Sequence, residues 1–163
     1  MRSRFGIGRE LLLSLVLLVM PLPAQVEKVE MLTTGISCGA CAGLSEIYFR
    51  RMPGITKVTI SLSKESITLF YKLGTKFDPP ALRKVLQPLE VGIVKFQITA
   101  RGPIQEQGGK RILIAGKDMF ALTGDTAGPA IPSATEIWIQ GLLINERSAP
   151  MELRILNVMS GKQ

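Results

Sequence analysis

Residues 52–71 read MPGITKVTISLSKESITLFY, and this stretch decides how the chain folds. Val58, Ile60 and Leu62 alternate with Lys57, Thr59 and Ser61, the two-residue period of a strand with one face buried. Ile67, Leu69 and Tyr71 repeat the pattern. The polar SKES at 63–66 between the two runs reads as the turn of a β-hairpin. Pro53 and Gly54, just upstream, end whatever element comes before.

Before the hairpin stands CAGLSEIYFRRM (41–52), where Leu44, Ile47, Tyr48 and Met52 recur at helical spacing and are expected to face the core. Arg50 and Arg51 fall in its last turn, where cations suit the negative end of the helix dipole. VEKVEML (26–32) sets Val29 and Met31 against Lys28 and Glu30, a strand. After the hairpin, Asp78 is placed to cap a second helix with Pro79 and Pro80 in its first turn, Leu82, Val85 and Leu86 on its apolar side, and Pro88 at its end. GIVKFQITA (92–100) alternates again, with Val94, Phe96 and Ile98 inward. The order β-α-β-β-α-β is the split βαβ arrangement. Residues 25–101 are therefore expected to form an α+β, ferredoxin-like domain: an antiparallel sheet with both helices on one face and Lys57, Thr59, Ser61 and Thr68 on the other.

The pattern then changes. RGPIQEQGGKR (101–111) is polar and Gly-rich, so 102–110 is expected as a linker. RILIAG, KDMFALTG, ATEIWIQGLLINE and MELRILNV are strand-like, and no amphipathic helix stands among them. Residues 111–163 are expected as a small all-β domain, OB-like or a sandwich, docked on the first. Gly141, inside an apolar run, marks a bulge or bend.

The N-terminus has its own logic. Arg2, Arg4 and Arg9 precede the apolar run Leu11–Met20, followed by PLPAQ with Ala24 as a cleavage position, so residues 1–24 read as a signal peptide. The run is shorter than the roughly 20 residues that span a bilayer. The expected location is outside the cytoplasm, in the periplasm or envelope of a bacterium, with membrane contact only if the segment is not cut. Without Arg2, Arg4, Arg9 and Glu10 the net charge of +7 falls to +5, with no dense basic run, so no nucleic-acid partner is expected. The chain has no histidine, which excludes Ser-His-Asp and Cys-His catalysis and imidazole metal sites. No carboxylate pair or phosphate-cradling loop is visible, and the chain is not expected to be an enzyme.

Both cysteines lie in TTGISCGACAGLSE (33–46). Cys38 falls in the loop after the first strand and Cys41 in the first turn of the first helix, where unpaired amides and the dipole favour thiolate. Two thiolates without imidazole are too few for structural zinc. They suit soft ions that accept low coordination, Cu(I) first and Hg(II) second, and leave positions open for a partner's thiols. Two other readings stay open: a disulfide in a non-catalytic binding module, since exported thiols tend to oxidise, and a thiol–disulfide redox protein. Met31, Met52, Met119, Met151 and Met159 are expected as packing residues, and Trp138 as a packing or contact residue.

With these residues in view, 26–100 resembles the heavy-metal-associated domain of copper chaperones, metal-pump N-termini and mercury-binding proteins. The family's G-M-x-C-x-x-C signature stands here as GISCGAC, and MPGITKVTISLSKESITLFY is similar to its helix end, Pro-Gly turn and central hairpin. The resemblance implies that Cys38 and Cys41 are the metal ligands and that the partner is a metal donor or acceptor, such as a metal-transporting ATPase. Two positions depart from the family. Ile36 replaces Met as the loop's buried anchor, and Gly92 is followed by Ile93 where the family often has an aromatic residue.

Overall fold

The structure is a computed structural model that describes residues 23–124 and 137–160. The expected signal peptide, apart from Pro23 and Ala24, lies outside the described residues, as do the 127–133 connection and the first residues of ATEIWIQGLLINE. Among the described residues no helix is long and apolar enough to cross a membrane.

The first six elements follow the expected order: β1 (Gln25–Thr34), α1 (Gly39–Arg50), β2 (Ile55–Ser61), β3 (Ser66–Tyr71), α2 (Pro79–Leu86) and β4 (Gly92–Gly102). β1 is central, antiparallel to β3 and β4, with β2 at the edge. Val29, Met31, Ile67, Leu69, Phe96 and Ile98 face the helices and are fully or almost fully buried. Asp78 caps α2 as expected, its Oδ1 accepting the Ala81 N–H at 3.1 Å. A short 3-10 turn, Gln87–Leu89, takes up Pro88 after the helix.

Four expected inward positions are corrected: Leu44, Ile47, Val94, and Leu62, which lies just past the end of β2 and is 44% exposed. On α1, Leu44 and Ile47 are exposed, at 44% and 46%, whereas Ser45 and Phe49 are buried. The helix has apolar residues on two sides, and it turns the bulk of Phe49 inward while the small Ser45 lets it lie close to its neighbours. On β4, Val94 is 58% exposed. A register shift between Leu32 and Thr33 sets those residues opposite Lys95 and Ile93, so Val94 has no partner and leaves the alternation.

The remainder does not stand apart as a sandwich. β5 (Ile104–Gln107), β6 (Lys110–Ala115), β7 (Asp118–Thr123), β8 (Ile137–Asn145) and β9 (Met151–Ser160) extend the same sheet, giving nine strands in the order β2-β3-β1-β4-β8-β9-β7-β6-β5. β8 pairs with β4 and covers the edge that β4 would expose. The expected 102–110 linker is instead the end of β4, the edge strand β5 and a tight turn. Gly108 and Gly109 both have positive φ (58° and 74°), as a two-residue primed hairpin turn requires. A polar edge strand with one apolar residue shows no alternation to detect. Gly141 does sit at a shift in the β8–β9 register, and a Cβ there would lie 2.6 Å from Leu153 Cγ.

The added strands curl back. The Ile114 N–H donates to the Pro103 carbonyl at 3.0 Å, bringing β6 against the end of β4. Phe77, from the loop before α2, is in edge contact with Tyr71 and Phe96 and tilted against Phe120 of β7, joining both parts in one buried cluster. Beside it the Phe77 N–H donates to Asp118 Oδ2 at 2.9 Å, while Asp118 Oδ1 is buried without a partner. Burial pushes the Asp118 carboxyl above the usual carboxylate range, against the Phe77 N–H and the nearby charges of Lys76 and Lys117, which lower it. A carboxyl whose folded pKa is raised favours the folded state when protonated. Its contribution is complete below the unfolded value of about 3.9 and is lost as pH rises through the folded value. Urea unfolding of the protein and of Asp118→Asn, at pH 7 and near pH 4.5, should show the difference moving in favour of the native protein at the lower pH.

Candidate metal centre

The cysteine loop is built from its ends inward. β1 is bolted to the β2–β3 turn where it finishes: the N–H and Oγ1 of Thr33 both donate to the Glu65 carbonyl, each at 2.8 Å. Gly35 follows with φ +88°, and a Cβ there would lie 3.1 Å from the Glu90 carbonyl oxygen, so positive φ and close approach both call for glycine. Ile36 is fully buried in the main cluster, as expected for the loop's anchor. Truncating it to Ala should cost about 2–5 kcal/mol. Urea unfolding measures that cost, and because Ile36 fixes the loop, a loss of metal affinity should accompany it.

Beyond this anchor the chain returns to the surface. Cys38 has extended backbone angles (φ −127°, ψ 152°) and is the N-cap of α1. Its Sγ accepts the Cys41 N–H at 3.1 Å and its carbonyl accepts the Ala42 N–H at 3.1 Å. Cys38 is exposed, Cys41 half-buried, and both are free thiols. The Cys41 thiol and the amides of Cys41 and Ala40 hold the Cys38 thiol below its usual range. The Cys38 sulfur in turn pushes Cys41 up. The two titrate as a pair, one proton leaving early and one late. No acidic residue stands in the first turn of α1, so nothing else competes for its positive end.

Cys41 lies in the first turn of α1 as expected from the sequence; Cys38, expected in the loop after β1, ends that loop as the cap of the helix. Among the described residues no cluster of three or more Cys, His, Asp or Glu forms, so no further such ligand joins the pair. Among the described residues the loop therefore offers two sulfurs. Of the methionines, Met31 is buried and Met52 and Met151 are partly buried, in line with packing roles. Met119 and Met159 are 49% and 42% exposed on β7 and β9, against expectation. The sequence did not point to Glu90 and Val91, which wall the loop at Gly35; they lie far along the chain, and only the register of Thr34 opposite Gly92 brings them there.

Comparison with protein-family profiles and with the sequences of curated proteins gives no match. Solved structures do give matches. The CopZ metallochaperone is 18% identical with a TM-score of 0.38, covering 41% of this chain and 98% of its own. The yeast copper transporter domain CCC2A, solved in apo and Cu(I) load states, is 20% identical with a TM-score of 0.36, covering 42% of this chain and 94% of its own. The N-terminal soluble domains of Bacillus subtilis CopA are 24% identical with a TM-score of 0.38, covering 52% of this chain and 55% of theirs. This chain therefore spans about half the length of that CopA fragment.

Proposed function

We propose that the chain is an exported protein that binds a soft metal ion through Cys38 and Cys41 and passes it on, with Cu(I) as the favoured cargo and Hg(II) as the second. The observation that carries this reading is the thiol pair itself: two free sulfurs at the start of α1, one capping the helix and accepting the amide of the other. In such a pair Cys38 is held toward thiolate, and with no imidazole in the chain the chemistry selects ions that prefer sulfur at low coordination. Hand-over then proceeds by thiolate exchange: a partner sulfur bonds to the ion as one of the two cysteines lets go, and a second partner sulfur bonds as the other cysteine lets go. Leu44 and Ile47, exposed on α1 beyond Cys41, offer that partner an apolar contact beside the ion. A metal donor or a metal-transporting ATPase fits this role, and the protein acts as a carrier rather than an enzyme.

The asymmetry of the pair favours one other reading. A lowered Cys38 thiol beside a raised Cys41 thiol is also what disulfide exchange uses, one sulfur attacking and the other resolving. One experiment separates the two. Fully reduced protein is titrated with Cu(I) against a competing chelator and assayed in parallel for disulfide reductase activity. One tightly held ion per chain without reductase activity supports the carrier. Reductase activity without retained metal supports the redox protein, and neither result would leave the disulfide-bearing module.

A further inference from the structure

Among the described residues no layer covers the sheet face opposite the helices, and its residues are not the uniformly polar set expected from the hairpin. Register places Lys57, Phe70, Lys28, Thr99 and Gln140 in one transverse row across β2, β3, β1, β4 and β8. The neighbouring row runs Gln25, Arg101, Trp138, Met159. Two rings stand on this face, each with a cation near it: Lys57 Nζ lies 5.4 Å from the Phe70 centroid and Arg101 Cζ 5.3 Å from that of Trp138. Arg101 is buried and paired with Glu27 at 2.6 Å, so it supports Trp138 from within, while Trp138 and Phe70 remain partly exposed. A shallow groove of about 400 Å³ joins the two rings.

Charge is distributed unevenly on this face. Lys57, Lys64, Lys95 and Arg154 are exposed there and Lys28 is half-exposed. Against them stand Glu30 and, further along β9, Glu152; Glu27 is taken up by Arg101. The cations do not converge on the groove, as they would around a small anion. They are spread over five strand gaps, roughly 24 Å at about 4.8 Å per gap. The two rings are three gaps apart, about 14 Å, with Lys28 and Thr99 between them. That spacing leaves no ladder of rings on which successive nucleic-acid bases could stack.

We propose that this open sheet face is a docking surface for an anionic phospholipid membrane. Its lysines meet the headgroup charge, and Trp138, whose indole has one polar edge as interfacial aromatics do, enters the interfacial region with Met159 and Phe70 as apolar neighbours. Docking by this face leaves the helix side, with the thiol pair, turned toward solution.

Trp138 is the chain's single tryptophan, so its emission reports this face even in the full chain, whatever the N-terminal run does. The reduced full chain is mixed with phosphatidylglycerol vesicles, phosphatidylcholine vesicles or a thymidine oligonucleotide. Expected are a blue shift and quenching by brominated lipid on phosphatidylglycerol alone, reversed by salt. In Lys28→Gln/Lys57→Gln/Lys95→Gln the vesicle concentration for half-response should rise about 100-fold, at the usual contribution of each basic residue near an anionic surface. Circular dichroism checks that this variant is folded, and Arg51→Gln/Lys76→Gln/Lys84→Gln, which removes as much charge from the helix side, should respond like the native chain. Equal Trp138 responses on the two lipids, equal responses of both triple variants, or a response to the oligonucleotide alone would overturn the proposal.

Discussion

Cys38→Ser should remove tight Cu(I) retention while leaving the fold intact, and the two effects separate for a structural reason. Serine is among the best N-cap residues, so its hydroxyl can accept the Cys41 N–H that the Cys38 sulfur accepts now, and α1 keeps its cap. What disappears is half of a two-sulfur donor set to which no third Cys, His, Asp or Glu is joined among the described residues. Loss of an outer hydrogen-bond partner weakens a metal site about 10–100-fold; loss of a ligand itself should exceed that. Cys41→Ser should do the same. Competition titration supplies the affinity and thermal melting the fold. A variant that melts like the native protein and still holds one ion as tightly would sink the carrier reading. The native site should also be pH-dependent, because the ion displaces protons. Cys38 loses its proton early and Cys41 late, so apparent affinity should climb as pH rises through the later step, up to about tenfold per unit for each proton released.

Phe77→Ala should be the most damaging single truncation in the core. The ring is 1% exposed, with centroids 6.5 Å from Tyr71, 5.7 Å from Phe96 and 6.4 Å from Phe120. It is where the βαββαβ part and the curled strands share a core. Removing a buried Phe costs about 3–5 kcal/mol, which for a chain of this size lowers the melting temperature by roughly 6–20 °C. Met119→Ala, at a side chain 49% exposed on the neighbouring strand, is the control and should stay within about 0.5 kcal/mol of native. A Phe77 variant that melted like the Met119 one would mean that the two parts do not depend on each other.

Much of this was legible in the residues, and the misses have a pattern. The hairpin at 55–71, the Asp78 cap and the placement of both cysteines at the start of α1 came from local rules: period two, capping chemistry and Pro-Gly punctuation act within a few residues. The inward face of α1 did not. Leu44 and Ile47 compete with Phe49 for the core, and a helix with two apolar sides is settled only by what it packs against. Val94 failed for a related reason, since a bulge is a property of two strands together.

By itself the sequence determined the β-α-β-β-α-β order, the pair of sulfurs beside the first helix and the lack of any imidazole to join them, because each is set by neighbours in the chain or by composition. Only the tertiary structure decided that β8 takes the free edge of β4, that the polar 102–110 stretch is a hairpin, that Phe77 joins the two parts, and that lysines from distant strands share one open face with Trp138. Those outcomes depend on pairing between residues far apart in the chain. Such pairing is fixed by register and by shared burial, and neither leaves a periodic trace in a single strand.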